Sequence, residues 1–301
     1  MNHTQKHNLC ILLSLILLLP SCTIIKASFR KGPKLPVAAV AEQTIPSVQG
    51  SFKVRIYTPD GAGPFPILVH SHGGGWMSGS VSSYDRVARY LAHNVPCVVV
   101  SVNYRLAPGH KFPVPLEDVY AAVTWAHDNA RALNGDPRRI AVGGESAGGN
   151  LSAAVCLMAR DRGGPPLVFQ LLVIPATNLS SLDTESYRLY GKREELTKKN
   201  VEIARGLYLK SVEDRYNPYA SPLLAKNLRN LPPALVITGE YDVMRDEGEA
   251  YAERLRQAGV PARTCRSKGL GHMGAYWALA SDVAKAPLDE AVQALQGAFK
   301  K

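Results

Sequence analysis

The stretch Gly143-Gly144-Glu145-Ser146-Ala147-Gly148-Gly149-Asn150 limits what this chain can fold into more than any other. It contains the pattern Gly-x-Ser-x-Gly, with Ser146 at its centre. The run before it, 139–142, reads as a short buried strand. The run after it, 147–160, is small and apolar and reads as a helix. A serine between a strand and a helix sits on a sharp turn. Residues two before and two after it would collide across that turn unless both are small. Gly144 and Gly148 meet that demand. Such a turn lifts the hydroxyl clear of the sheet, where a base and a substrate can reach it. By itself the pattern is weak, because a plain glycine-rich loop between strand and helix looks the same.

The chain has 301 residues, enough for one large α/β domain with a full core. Its net charge is +10 and its pI about 9.4. The Lys and Arg are spread along the chain with no long basic block, so a solvated basic surface accounts for them and no nucleic-acid partner is expected. Five cysteines are present. Cys10 and Cys22 lie near the N-terminus, and Cys97, Cys156 and Cys265 lie in expected core elements. That scatter is no disulfide framework. No Cys-x-x-Cys or His-Glu-x-x-His occurs, so no metal is expected.

Residues 1–22 read as a targeting segment: a short positive start, an apolar run over 9–19, then Leu19-Pro20-Ser21-Cys22. The last four resemble a bacterial lipoprotein box, with Pro20 an unusual fit. The expectation is export, either with a lipid on Cys22 as a membrane anchor or by simple secretion. Residues 23–45 read as a linker or arm. From about 46 to 301, strands alternate with helices, and the strands are apolar on both faces. That pattern predicts a mainly parallel sheet covered by helices on both sides. Strands are expected at 51–58, 66–70, 97–102, around Ile140, and at 167–174, 234–238 and 261–267. Residues 175–224 are polar, rich in Tyr and Ser, and read as an insertion over the sheet.

A serine hydroxyl is a poor nucleophile without a base beside it and an acid to orient that base. On such a sheet the order is Ser, then Asp or Glu, then His. Of eight histidines, only His272 follows the strands that would carry the acid. The acid should follow the 234–238 strand, where Glu240, Asp242, Asp246 and Glu247 stand. Asp242 sits in the turn before the next helix and is favoured. Asp246 is one turn into that helix and better placed to pair with a cation or support the loop. The oxyanion of a tetrahedral intermediate needs backbone donors, each worth roughly 3–4 kcal/mol. His72-Gly73-Gly74-Gly75 follows the 66–70 strand and exposes such donors, and Ala147 supplies another. No Gly-Lys-Ser/Thr follows, so a phosphate loop is excluded.

Taken together, HGGGW (72–76), NYRLAPGHKFPVPLED (103–118), GGESAGGNL (143–151), GEYDVMRDEGEAYAERL (239–255) and GLGH (269–272) resemble the hormone-sensitive-lipase-like esterases. That bacterial family IV belongs to the α/β-hydrolase superfamily. The resemblance implies an eight-stranded sheet, with Ser146 as nucleophile, His272 as base and Asp242 as acid. It implies the Gly74, Gly75 and Ala147 amides as the oxyanion hole, supported by His72, Gly73 and Glu145. It also implies a helical cap built from 23–45 and 175–224. Three positions depart from the family's pattern: Gly109 where Glu is usual, Glu145 before the nucleophile, and Met273 after the base. Trp76, beside the oxyanion loop, should narrow the substrate pocket. The expected activity is hydrolysis of carboxylic esters with short acyl groups, without a cofactor. Amide, acetyl or peptide hydrolysis on the same groups, and a non-catalytic receptor, are the rivals.

Overall fold

The structure is a computed structural model and describes residues 34–48, 50–272 and 282–300. Cys22 and Met273 lie outside the described residues. Eight strands form one sheet in the order β1-β2-β4-β3-β5-β6-β7-β8. They are β1 (Ala39–Ser47), β2 (Gly50–Thr58), β3 (Phe65–Ser71), β4 (Val98–Asn103), β5 (Gly135–Glu145), β6 (Phe169–Val173), β7 (Ala234–Gly239) and β8 (Ala262–Ser267). Strand β2 runs antiparallel to β1 and β4, and every other neighbouring pair is parallel.

The described helices are α1 (Asp85–Asn94), α2 (Val114–Asp128), α3 (Ala147–Arg162), α4 (Glu185–Tyr190), α5 (Lys198–Tyr208), α6 (Arg245–Gln257) and α7 (Asp282–Phe299). Side chains alternate across each strand, and both faces are dry. Ile67, Val69, Val98 and Val100 pack with Leu116 of α2, Leu151 of α3 and Leu255 of α6. Leu68, Val99, Ala141 and Leu171 pack on the other face with Leu91 of α1 and Leu295 of α7. The central strands are therefore continuous apolar runs, as expected of a sheet buried on both sides.

Local chemistry sets the ends of these elements. Gly163 closes α3 in the left-handed conformation at φ 62°. Thr197 caps α5 by accepting from the Asn200 N–H, while the Asn200 side chain accepts from the Thr197 N–H. The insertion after β6 holds α4, α5 and two 3-10 turns, Glu213–Tyr216 and Pro222–Leu224. One boundary differs from expectation. The last seven residues of the expected 23–45 linker are sheet: β1 pairs along its whole length with β2. Its burial explains why it was hard to see. Of its nine residues only Ile45 is buried, so no apolar alternation marks it.

Candidate active site

The parallel neighbours β3 and β5 end together, with Ser71 opposite Gly144. The glycine loop after β3 therefore opens beside Ser146. Ser146 itself has φ 52° and ψ −114°, a conformation side chains oppose. It precedes α3 without capping it, so its hydroxyl is not spent on the helix. The flanking glycines are required by contact. A Cβ on Gly148 would lie 2.0 Å from Ser71 O, and one on Gly144 would lie 2.5 Å from the same oxygen.

The structure brings Ser146, His272 and Asp242 together. His272 Nε2 is 3.1 Å from Ser146 Oγ, and Nδ1 is 2.9 Å from each Asp242 oxygen. A carboxylate only accepts, so Nδ1–H donates to it and Nε2 is left to accept from the serine hydroxyl. All three are buried, at 7%, 6% and 1% exposure in that order. Asp242 sits in the turn after β7, and the Met244 N–H donates to its Oδ1 at 3.0 Å. The other acidic candidates are engaged elsewhere. Glu240 accepts from the Gly269 N–H. Asp246 pairs with Arg245 at 2.8 Å and accepts from the Ser186 N–H at 2.7 Å. Glu247 accepts from the Thr177 and Asn178 N–H groups.

The loop after β3 is held by aromatic neighbours. The Gly73 N–H donates to Tyr84 Oη at 2.9 Å, so that amide is committed to structure. Tyr104 donates to His72 O at 2.8 Å and stacks on its ring at 4.2 Å. His72 Nδ1–H donates to Gly73 O, and burial pushes this imidazole down to about 4. It is neutral at working pH and serves as a brace. Gly74 has φ 119°, and a Cβ there would lie 2.2 Å from Ser78 O, so only glycine fits. Ala147 is the first residue of α3. Its N–H has no partner within the helix and lies at the positive end of the helix dipole.

Other expected residues have unexpected surroundings. Trp76 is 1% exposed and stacks on Tyr208 of the insertion, with ring centroids 4.5 Å apart and planes 4° from parallel. Its ring is spent on packing the insertion to the glycine loop, where pocket lining was expected. Glu145 faces away from the serine and meets His70 Nε2 at 2.7 Å; burial raises its carboxyl. Gly109 is exposed, and a Cβ there would meet only Leu106 O, at 3.6 Å. Asn150 and Tyr84 carry no role from sequence, and Glu247 stood there only among the candidates for the acid. Asn150 had a signal, since it closes the serine motif. It donates to Ala176 O at 2.7 Å and Ala220 O at 2.8 Å. Tyr84 and Glu247 had none, because their partners are backbone groups distant in sequence.

This sheet order, with a strained serine after β5 and a histidine beyond β8, defines a hydrolase fold. The chain belongs to the alpha/beta hydrolase fold family, whose model matches residues 68–275. It is 44% identical over 235 residues to the carboxylic ester hydrolase LipN of Mycobacterium tuberculosis, covering 76% of this chain and 62% of LipN. It is 42% identical over 242 residues to an arylesterase of Saccharolobus solfataricus, covering 80% and 78%. A solved esterase from Pyrobaculum calidifontis superposes with a TM-score of 0.85 at 40% identity, covering 91% of this chain and 87% of that one.

Proposed function

We propose that the chain is a serine carboxylesterase acting through a covalent acyl-enzyme on Ser146. The observation that carries this reading is His272, bonded at one nitrogen to Asp242 and at the other to the serine hydroxyl. His272 takes the hydroxyl proton as Ser146 Oγ attacks the ester carbonyl. The Gly74, Gly75 and Ala147 amides receive the oxyanion. Asp242 stabilises the imidazolium, which then gives its proton to the departing alkoxide. Water repeats both steps, releases the acid and restores the serine.

The preferred acyl groups are short, roughly two to six carbons, because each added methylene gains ~0.8 kcal/mol only until a pocket is full. The insertion supports this reading. Its helices, of 6 and 11 residues, are too short for a long apolar lid; Tyr187, Val201 and Tyr208 pack into the core, and Leu189 and Ile203 are the large aliphatic side chains they leave exposed. One experiment tests both parts: kcat/KM for p-nitrophenyl esters from acetate to palmitate, on wild type and Ser146→Ala. The expected result is a maximum at six carbons or fewer, with nearly all activity lost in the variant. A maximum at ten carbons or more would overturn the acyl preference. An active variant, free of contaminating hydrolase, would overturn the mechanism.

A further inference from the structure

Residues 176–179, just beyond β6, bond to the serine turn, to the insertion and to the helix after Asp242. The Ala176 N–H donates to Ser146 O at 3.3 Å, and Ala176 O accepts from Asn150 of α3. Leu179 O accepts from Arg205 of α5 at 3.0 Å, and the Leu179 N–H donates to Ser221 Oγ at 2.8 Å. The nucleophile and the insertion are thus tied to one short strap. The helix that follows the acid is tied to that strap by a reciprocal pair, Glu247 and Thr177. Glu247 Oε1 accepts from the Thr177 N–H at 2.8 Å and the Asn178 N–H at 3.2 Å. Thr177 Oγ1 donates back to Glu247 O at 2.7 Å. Glu247 is 1% exposed and lies in the first turn of α6, the helix that follows Asp242 directly.

This carboxyl has no cation bonded to it. The hydroxyl of Tyr187, on α4, lies beside it and acts against burial by favouring its charged form. The negative Asp242 faces it from the turn after β7. Arg205 on α5 acts on Tyr187, and Asp246 on α6 is already paired with Arg245. The two N–H donors on one oxygen favour the charged form, but the dry surroundings and the Asp242 charge outweigh them and favour the neutral one.

We propose that Glu247 is a positioning residue for the reaction, clamping the Asp242 turn to the 176–178 strap as an uncharged carboxyl. In that state it holds Asp242 in line with His272 without adding a second negative charge behind it. Burial pushes this group up to about 8, with the two N–H donors and the Tyr187 hydroxyl against it and the Asp242 charge acting in the same direction as burial. Above that pH the clamp carries a charge beside Asp242 and the acid loses its alignment.

The inference rests on the esterase reading, and its test separates the two. The kcat and KM for p-nitrophenyl acetate are measured from pH 6 to 10 on wild type, Glu247→Gln and Glu247→Ala. At pH 7 Glu247→Ala should lose about tenfold or more in kcat with KM changed about twofold or less, since a positioning loss falls on the chemical step. Glu247→Gln, which keeps a neutral acceptor, should restore most of that loss. The wild-type rate should fall above pH 8, and the Glu247→Gln rate should not. An identical alkaline fall in Glu247→Gln overturns the proposal, as does a Glu247→Ala enzyme that matches wild type. If Glu247→Ala does not fold, the Glu247→Gln profile decides alone. A wild type that cleaves no ester and takes no fluorophosphonate label would sink the esterase reading instead. Thermal unfolding then judges the clamp. The folded state keeps a proton that an unfolded Glu releases near 4.5, so the stability is present below 4.5 and lost as pH rises through about 8. The Tm of Glu247→Gln should therefore gain on wild type across that window. A constant gap between the two overturns the clamp.

Discussion

Ser146 holds a backbone conformation that its own side chain opposes, and two glycines make room for it. The strain, of order 1–3 kcal/mol, persists because β3, β5 and α3 meet at this point with no slack. A Cβ on Gly148 would be driven into Ser71 O at 2.0 Å. Gly148→Ala should therefore lose about 1–3 kcal/mol in urea unfolding, and most of its kcat. Gly206→Ala is the matched control. Nothing lies within 4 Å of a Cβ there, and the position is inside α5. That variant should be unchanged or gain up to about 1 kcal/mol from helix propensity. Equal behaviour of the two variants would mean that the serine turn is not sterically closed.

At the level of elements, the insertion is joined to the glycine loop by stacked rings. Tyr208, the last residue of α5, lies flat on Trp76 and edge-on to Phe112 at 5.9 Å. Its N-terminal neighbours reach the core through Val201 and Ala204. Tyr208→Ala should cost about 3–5 kcal/mol and loosen the insertion, read as a lower Tm and a raised KM. The Tyr208 hydroxyl is buried without a partner. Tyr208→Phe should therefore be neutral or stabilising, and a large loss there would show that the hydroxyl has a role.

Trp76 shows where the sequence was legible and where it was not. Its place beside the oxyanion loop followed from HGGGW, but its stacking partner lies 132 positions away on a polar-looking helix. The triad was legible because strand order restricts where an acid and a base can emerge. The central strands β3, β4, β6 and β7 were legible because burial on both faces leaves continuous apolar runs, and β2 because Phe52, Val54 and Ile56 alternate with exposed residues. Strand β1 was not, since its exposed residues carry only the pairing preference of the backbone. Asn150 and Glu247 act on main-chain carbonyls and N–H groups, which leave no trace in side-chain patterns.

Across the whole molecule, the site lies at one end of a sheet in which all strands but β2 run the same way. Acid should act on this assembly through His72, whose imidazole the core holds neutral. Its folded value of about 4 lies below the 6.5 of an unfolded histidine. Its contribution is therefore present above 6.5 and lost as pH falls through 4, amounting to about 3 kcal/mol. Urea unfolding between pH 7 and 4 should show that decline. It is best measured in the Glu247→Gln background, because Glu247 works in the opposite direction between 4.5 and 8. His72→Gln, which takes no proton, should decline less steeply. An unchanged slope would place the acid sensitivity in another group.

The order of the strands also has a consequence in time. Ser146 and His272 are 126 positions apart, and the base follows β8, the last strand of the sheet. At about 5–20 residues per second, roughly 6–25 s of synthesis separate the two residues. Throughout that interval the emerging chain carries the nucleophile and glycine loop but has no imidazole to activate them. On the proposed mechanism, hydrolytic competence arrives only once synthesis has passed His272. On that mechanism a message truncated anywhere before codon 272 should yield a product without esterase activity, however many of its eight strands have folded.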